Sequence, residues 1–264
     1  MKTTYGQIWI PTVLAGIVLC GSLFAPAAAW AVHPFQVEDT VTQGAGNFLG
    51  EFNADDTKYS SFKRTKLTGV LTAGISDEAD LSLEVPYLIL NPSSVTGQNE
   101  RGIGDFQLKL KQRLYENEVN QSFGYQIYTG LPTGDVSDGL GTNNLVLGFK
   151  LMDQQICRNN VLHADIGYES FARDMRHWHF AQDYAIQFGL AAEHKLTDAF
   201  RALMELVYQI RGDREIVIGS HPLTFMAGVK YDVSKSWYLD LAARAGLNRD
   251  AEDYTVLAGT AWRF

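Results

Sequence analysis

Apolar and polar residues alternate with period two through most of the chain, in segments of about ten residues that begin near residue 47. In the segment 103–113, Leu108 and Leu110 point to one face. Lys109 and Lys111 point to the opposite face, so the two faces differ sharply in polarity. Such alternation is typical of β-strands that lie between two unlike environments. It predicts twelve strands, over residues 47–53, 66–75, 81–90, 103–113, 122–130, 144–151, 162–171, 183–194, 200–211, 223–232, 237–248 and 254–264.

The connections between the predicted strands alternate in length. Short connections follow the even strands, at 76–79, 116–120, 195–199 and 233–236, with a longer one at 153–160. Longer and more polar connections follow the odd strands, at 54–62, 91–101, 132–142, 172–182 and 212–222, with a shorter one at 248–253. A water-soluble β-sandwich would not separate short turns from long loops in this way. The pattern predicts an all-β fold, a closed antiparallel transmembrane β-barrel of about 12 strands with short periplasmic turns and longer extracellular loops.

Aromatic residues on the predicted outward face gather at the two ends of the strands. Tyrosines occupy the long-loop ends, at Tyr87, Tyr168, Tyr184, Tyr208 and Tyr254. Other aromatic residues occupy the opposite ends, at Phe123, Phe200, Tyr231, Trp237, Trp262 and Phe264. Two such rings are typical of an outer-membrane barrel, because amphipathic aromatic side chains settle at the depth of the lipid headgroups.

The composition is compatible with membrane-spanning strands but not with a bundle of membrane helices. Of the 264 residues, 46% are hydrophobic and 20% are charged, and the mean hydropathy is −0.11. Each helical span needs ~20 consecutive apolar residues, and only the N-terminus comes close. The formal net charge of −8 and the pI near 5.2 argue against nucleic acid as a partner. Nucleic-acid phosphates would require clustered lysine and arginine.

The apolar run at the N-terminus predicts a cleaved secretory signal. Lys2 precedes this run, and Ala29 and Ala31 supply the small residues that signal peptidase requires. We therefore expect residues 1–31 to be a signal peptide that is cleaved before Val32, with export to the outer membrane. An uncleaved N-terminal anchor is the alternative. Cleavage removes one charged residue and changes the formal net charge from −8 to −9.

The mature chain divides into two parts. Residues 32–46 lack clean alternation and precede the first strand, so we expect either a free N-terminal periplasmic segment or a plug that folds into the lumen. Residues 47–264 form the predicted outer-membrane β-barrel. Cys157 is the only cysteine of the mature chain, which excludes an intramolecular disulfide.

The predicted inward face carries many charges of both signs. A basic column on the fourth strand consists of Lys109, Lys111 and Arg113. An acidic cluster on strands seven to nine consists of Asp165, Glu169, Glu193 and Glu205. Two interpretations are open: the two groups line opposite sides of a narrow aqueous path, or the charges pair in salt bridges that close the lumen. Pairing is plausible because an isolated ion away from water is costly.

The last strand ends on a pattern similar to the signal that delivers outer-membrane proteins to the barrel-assembly machinery. Gly259, Trp262 and the terminal Phe264 stand at the positions expected of that signal. Leu257 departs from the pattern, since a polar residue is usual there. We therefore expect the barrel-assembly machinery and outer-membrane lipid as partners.

No catalytic site, cofactor or metal site is predicted, and the chain is not expected to be an enzyme. Some outer-membrane barrels are lipid hydrolases with a serine and a histidine on the lipid-facing wall. The outward candidates on neighbouring strands are Ser170 and His194, which are predicted to lie ~25 Å apart, too far for proton transfer. His177 and His179 stand in a predicted outer loop, where two histidines are more often solvated than metal-bound.

A series of short motifs adds a family resemblance. The motifs are 33–39 (His-Pro-Phe-Gln-Val-Glu-Asp) with Gly44 and Gly46, 85–88 (Val-Pro-Tyr-Leu), 102–105 (Gly-Ile-Gly-Asp), 131–135 (Leu-Pro-Thr-Gly-Asp) and 262–264 (Trp-Arg-Phe). With them, nearly the whole mature chain resembles the outer-membrane β-barrel transporter family labelled for the meta-pathway of phenol degradation. Arginine is common in that family at the first motif position, where this chain has His33. The resemblance implies passage of small molecules, aromatic or hydrophobic compounds among them.

The predicted function is that of an outer-membrane channel or transporter for passive uptake of small molecules. A closed structural or partner-binding barrel is the alternative, and conductance separates the two. An outer-membrane lipid hydrolase is a weaker alternative.

Overall fold

The β-strands of the chain form an antiparallel sheet that closes on itself. The computed structural model describes residues 33–93, 95–117, 120–172, 184–212 and 220–264. The strands are β1 (Phe48–Lys58), β2 (Lys63–Gly74), β3 (Ala79–Asn91), β4 (Glu100–Ile103), β5 (Phe106–Glu116), β6 (Gln121–Leu131), β7 (Leu145–Cys157), β8 (Asn160–Ala172), β9 (Tyr184–Lys195), β10 (Phe200–Arg211), β11 (Leu223–Asp232), β12 (Trp237–Gly246) and β13 (Tyr254–Arg263).

Closure comes from the pairing of β1 with both β13 and β2, while β2 also pairs with β3. The short strand β4 pairs only with the far end of β3, and β5 pairs with its beginning, so β4 and β5 together occupy one position in the wall. This confirms the predicted closed antiparallel barrel of twelve strands, with β4 as an additional short strand.

The predicted continuous strand 103–113 is interrupted by a bulge. Tyr87 lies opposite Ile103, whereas Glu84 lies opposite Gln107, so β4–β5 contains one more residue than β3 between these pairs. A single extra residue is the definition of a β-bulge. The backbone N–H of Gly104 donates to the carbonyl of Pro86 at 2.9 Å and bridges the interruption.

Two predicted connections are shorter than expected. β1 continues to Lys58, which leaves only 59–62 of the predicted loop 54–62. β7 and β8 meet in a two-residue turn, Arg158–Asn159, where a longer turn was predicted. The alternation did not predict these longer strands because their ends carry polar residues. Beyond the apolar belt, outward side chains do not need to be apolar. Asp56, for example, is still in the ladder and pairs with Lys63 at 2.7 Å.

Outward side chains form an apolar belt bounded by two aromatic rings. At the short-turn end, Phe200 packs on Tyr231 with ring centroids 4.7 Å apart. Trp237 packs on Trp262 in the same ring at 6.4 Å. At the long-loop end Tyr168 stacks on a neighbouring tyrosine. The barrel therefore presents the surface that a lipid bilayer requires.

The C-terminus and the start of β1 lie at the short-turn end, where the connections have two to four residues. Within the described ranges no helix is long and apolar enough to cross a membrane. The predicted signal peptide and the loop that contains His177 and His179 lie outside the described residues.

Candidate functional site

Residues 33–47, here called the N-terminal segment, lie inside the barrel and follow its wall around the lumen. The segment enters at the short-turn end, where the backbone N–H of Ala45 donates to Asp77 at 3.1 Å. From there it contacts β3, β5, β6, β8, β10, β12 and finally β1. That the segment acts as a plug, one of the two sequence-based alternatives beside a free tail, stays a prediction.

Carboxylates of the wall hold the backbone of the N-terminal segment. Glu205 accepts hydrogen bonds from the backbone N–H groups of Gln36 and Val37, the latter at 2.9 Å. Asp165 accepts from the N–H of Glu38 at 3.1 Å. Hydrogen bonds to a charged acceptor are stronger than those between neutral groups. Two members of the predicted acidic cluster thus fix the backbone of the segment.

His33 anchors the far end of the segment. Its Nδ1 lies 2.7 Å from Asp240 of β12, and its Nε2 lies 3.2 Å from Asp55 of β1. Burial disfavours the imidazolium, but the hydrogen bonds and charges of Asp240 and Asp55 outweigh burial and raise the pKa of His33 to about 9. His33 is therefore a cation at neutral pH, held between two carboxylates.

An apolar patch on the inner wall packs against the segment. Phe35 and Val37 form a buried cluster with side chains of β9 to β13, which are Ala191, Leu203, Val207, Met226, Ala242 and Leu257. Burying side chains of this size stabilises the docked segment by roughly 1.5–3 kcal/mol each. The contact also accounts for Leu257, whose apolar side chain departs from the assembly pattern but faces Phe35 and Val37 in the lumen.

The basic column does not face open water. Lys111 pairs with Asp39 of the N-terminal segment at 2.8 Å. Lys109 and Lys66 both pair with Glu84, at 2.9 and 2.8 Å. Near the short-turn end, Arg113 pairs with Glu116 at 3.2 Å.

The acidic cluster is also paired. Asp165 lies 3.2 Å from Lys150, and Glu205 lies 3.8 Å from Arg244. Glu193 lies 3.3 Å from Arg201. Glu169 accepts a hydrogen bond from the hydroxyl of Tyr128 at 2.5 Å. All three residues of the column and three of the four residues of the cluster thus lie in ion pairs, which agrees with the salt-bridge interpretation more than with two bare charged walls.

A cavity of 320 Å³ remains inside the barrel beside the N-terminal segment. We call it the lumen cavity. Its cationic lining residues are His33, Lys66, Lys109, Lys111, Lys150 and Arg244. Its anionic lining residues are Glu38, Glu51, Asp55, Asp80 and Glu84. Toward the short-turn end Thr40, Asp80 and Ser122 are at most 5% exposed, so the segment packs tightly against the wall on that side.

The long-loop end of the lumen is partly covered by the loop 132–142. Asp105, at the bulge of the wall, accepts hydrogen bonds from the N–H of Gly134 at 2.9 Å and from the N–H and hydroxyl of Thr142 at 2.8 and 2.9 Å. Leu140 of this loop is buried against Gly102 and Gly104 on the lumen side. The sequence motifs 102–105 and 131–135 therefore form one structural unit.

The geometry does not bring a catalytic pair together. Along β8 and β9, Asn160 lies opposite His194 and Ser170 lies opposite Tyr184, so Ser170 and His194 are at opposite ends of the wall. No group of three or more metal-ligating side chains occurs within the described parts of the chain.

Comparison with solved structures shows a similar fold in an outer-membrane channel and in porins. The COG4313 outer-membrane channel from Pseudomonas putida F1 is similar with a TM-score of 0.66 and 15% identity, over 86% of this chain and 98% of that chain. The NanC porin is similar with a TM-score of 0.58 and 8% identity, over 81% and 98%. The KdgM porin is similar with a TM-score of 0.53 and 12% identity, over 82% and 99%.

Comparison at the level of sequence identifies the family. No curated protein matches the chain. The family profile described as "Putative MetA-pathway of phenol degradation" matches residues 33–264, which include the N-terminal segment and the whole barrel. The chain belongs to this family.

Proposed function

We propose that the protein is an outer-membrane channel for passive uptake of small polar molecules, and that the N-terminal segment is the obstruction that controls its lumen. The lumen cavity is the observation that carries this proposal, because a space of 320 Å³ lined by charged side chains accommodates water and polar solutes inside an apolar membrane. A barrel of 12 strands is wider than the eight-stranded barrels whose own side chains fill them.

The orientation follows from the connections. Short turns face the periplasm in barrels of this kind, so in this proposal the N-terminal segment enters the lumen from the periplasm and the C-terminus lies on the periplasmic side. The proposal includes a cleaved signal peptide at residues 1–31, and recognition of Gly259, Trp262 and Phe264 by the barrel-assembly machinery.

The lining of the cavity defines the class of solute. The family description suggests aromatic compounds, and an aromatic compound with a charged or hydroxyl group would find partners among the cavity side chains. A purely apolar compound would find none, since desolvating the charged lining without replacing its hydrogen bonds is costly.

Liposome swelling tests the function directly. Liposomes that contain the purified protein are expected to swell in arabinose and in sodium benzoate faster than protein-free liposomes, and more slowly in larger sugars. The alternative, a closed structural or partner-binding barrel, is favoured by the dense ion pairs in the lumen. It predicts no swelling with any solute, and that result would refute the channel.

A further inference from the structure

The periplasmic end of the barrel carries a second cavity, separate from the lumen cavity. It is a cleft of 420 Å³ among three of the short turns, and we call it the turn-end cleft. Arg158–Asn159 lies between β7 and β8, residues 196–199 lie between β9 and β10, and residues 233–236 lie between β11 and β12. None of its lining residues lines the lumen cavity.

Two cations of the turn-end cleft have no carboxylate partner within the described structure. Lys195 pairs with Asp198 at 2.8 Å, and Arg201 pairs with Asp232 at 2.8 Å. Arg158 and Lys235 line the same cleft, on two different turns, and neither forms a salt bridge in the described ranges. The cleft therefore has an excess of positive charge at its rim.

The lining of the cleft combines apolar and charged side chains. Ile156, Val161 and the ring of Tyr238 supply apolar surface. Glu193, which is 3% exposed, belongs to the same lining and lies 3.8 Å from Lys230 Nζ, and Lys230 Nζ lies 4.7 Å above the ring of Tyr238. The carboxylate of Glu193 is therefore paired with a buried cation behind the apolar surface.

The backbone at Arg158 is unusual for an arginine. Its φ of 53° lies in the left-handed region, and the turn has only two residues. Two-residue hairpin turns need positive φ and favour asparagine or glycine, which carry little strain there. Strained positions of this kind are retained more often at functional sites. The turn thus has an arginine at the cleft, although asparagine or glycine would adopt its backbone conformation with less strain.

The short turn between β2 and β3 carries the opposite charge. Asp77 and Glu78 stand there, whereas Glu116 at the end of β5 pairs with Arg113. A surface that is positive on one half and negative on the other directs a charged ligand to the half of opposite charge. An anion that approaches the periplasmic end is repelled by the acidic turn and attracted to the turn-end cleft.

We propose that the turn-end cleft is a binding site for a small organic anion with an apolar body, whose carboxylate or similar group is bound by Arg158 and Lys235 and whose body packs on Ile156, Val161 and Tyr238. A cavity of 420 Å³ is within the usual range of small-molecule sites. The site does not depend on the proposed channel activity, because none of its lining residues lines the lumen cavity.

The test uses the full-length protein in detergent and isothermal titration calorimetry, with benzoate as the probe and its neutral analogue benzamide as the comparison. We expect one saturable benzoate site and at least about tenfold weaker binding of benzamide, a difference of ~1.4 kcal/mol. The double variant Arg158→Asn with Lys235→Gln should lose about tenfold in benzoate affinity and keep its weak affinity for benzamide. The matched control, Lys58→Gln with Arg101→Gln, removes the same charge at the other end and should bind like the wild type.

Three results would overturn the proposal: no saturable benzoate binding, equal binding of benzoate and benzamide, or an equal loss in the control variant. If the double variant does not fold, Lys235→Gln alone on its exposed turn is expected to weaken benzoate binding about threefold. An unchanged affinity in that single variant would count against the site. Binding without liposome swelling would leave this site intact and refute only the channel.

Discussion

A Cβ atom at Gly259 would overlap Nδ1 of His33. Gly259 faces the lumen at the point where the N-terminal segment is anchored, and Asp240 Oδ2 and Asn53 Oδ1 would both lie 2.7 Å from the same Cβ. The glycine that the sequence suggests as part of an assembly signal therefore also makes room for the imidazole. Docking of the segment depends on this missing side chain.

Gly259→Ala is expected to displace the N-terminal segment without opening the barrel wall. The reporter protein carries Val41→Cys in a Cys157→Ala background, and Val41 lines the lumen cavity. A maleimide reagent should label the cysteine at position 41 faster when the segment is released from the wall. The matched control is Gly69→Ala, since no atom lies within 4 Å of a Cβ built there. Equal labelling rates in the two variants would contradict the docking role of Gly259.

Alkaline pH should release the segment. The pKa of His33 is raised from 6.5 to about 9 in the docked state, so the stabilisation is fully present below 6.5 and is lost as the pH rises through 9. The shift corresponds to roughly 3 kcal/mol for the anchored imidazolium. Over this window, maleimide labelling of the reporter should accelerate more than labelling of an exposed cysteine does, since the thiolate reaction itself speeds up with pH. His33→Arg, which keeps its charge, should show only the pH dependence of the exposed cysteine, and any further acceleration in that variant would point to another group.

The ion pair of Lys111 with Asp39 is expected to couple the segment to β5. Breaking a buried pair by removing one partner leaves an uncompensated charge and costs ~3–5 kcal/mol. Lys111→Asp and Asp39→Lys should therefore each speed labelling of the reporter, because each brings like charges together. The exchanged double variant should restore much of the protection. Additive effects of the two substitutions would show that the side chains do not interact.

Asp105 should fix the loop 132–142 at the mouth. Asp105→Ala removes the acceptor of three hydrogen bonds from Gly134 and Thr142. Hydrogen bonds to a charged group contribute roughly 1.5–3 kcal/mol each, so the loop should be released while the barrel remains folded. Limited proteolysis of intact cells measures the release as faster cleavage between Leu131 and Leu145. Asp138→Ala serves as the control, and equal cleavage of both variants would refute the role of Asp105.

The alternation predicted the barrel because side chains along a strand point to opposite faces in turn. This assigns Leu108 and Lys109 to opposite faces from the local sequence alone, without information on which residues they contact. It did not predict which inward charges meet. The partners Lys111 and Asp39 are 72 positions apart, and their contact depends on the path of a segment that has no alternation of its own. The pairs Lys109 with Glu84 and Arg201 with Glu193 likewise depend on the stagger between strands.

A signal for the occupied lumen was nevertheless present in the sequence. Leu203, Val207, Met226 and Leu257 have inward parity although an aqueous lumen would favour polar residues there. Strands that are apolar on both faces are buried on both faces. The last strands thus required an apolar partner inside the barrel, and the motif 33–39 supplies it with Phe35 and Val37.

Single-channel recording in planar bilayers, with the full-length mature protein and a variant that lacks residues 33–46, tests the central claim most directly. The deletion leaves β1, which begins at Phe48, and the closing pair of β1 with β13 intact. We expect small, intermittent conductance from the full-length protein and a several-fold larger, steady conductance from the variant. Equal conductance in the two proteins, or no conductance in either, would contradict the account of a channel obstructed by its own N-terminal segment.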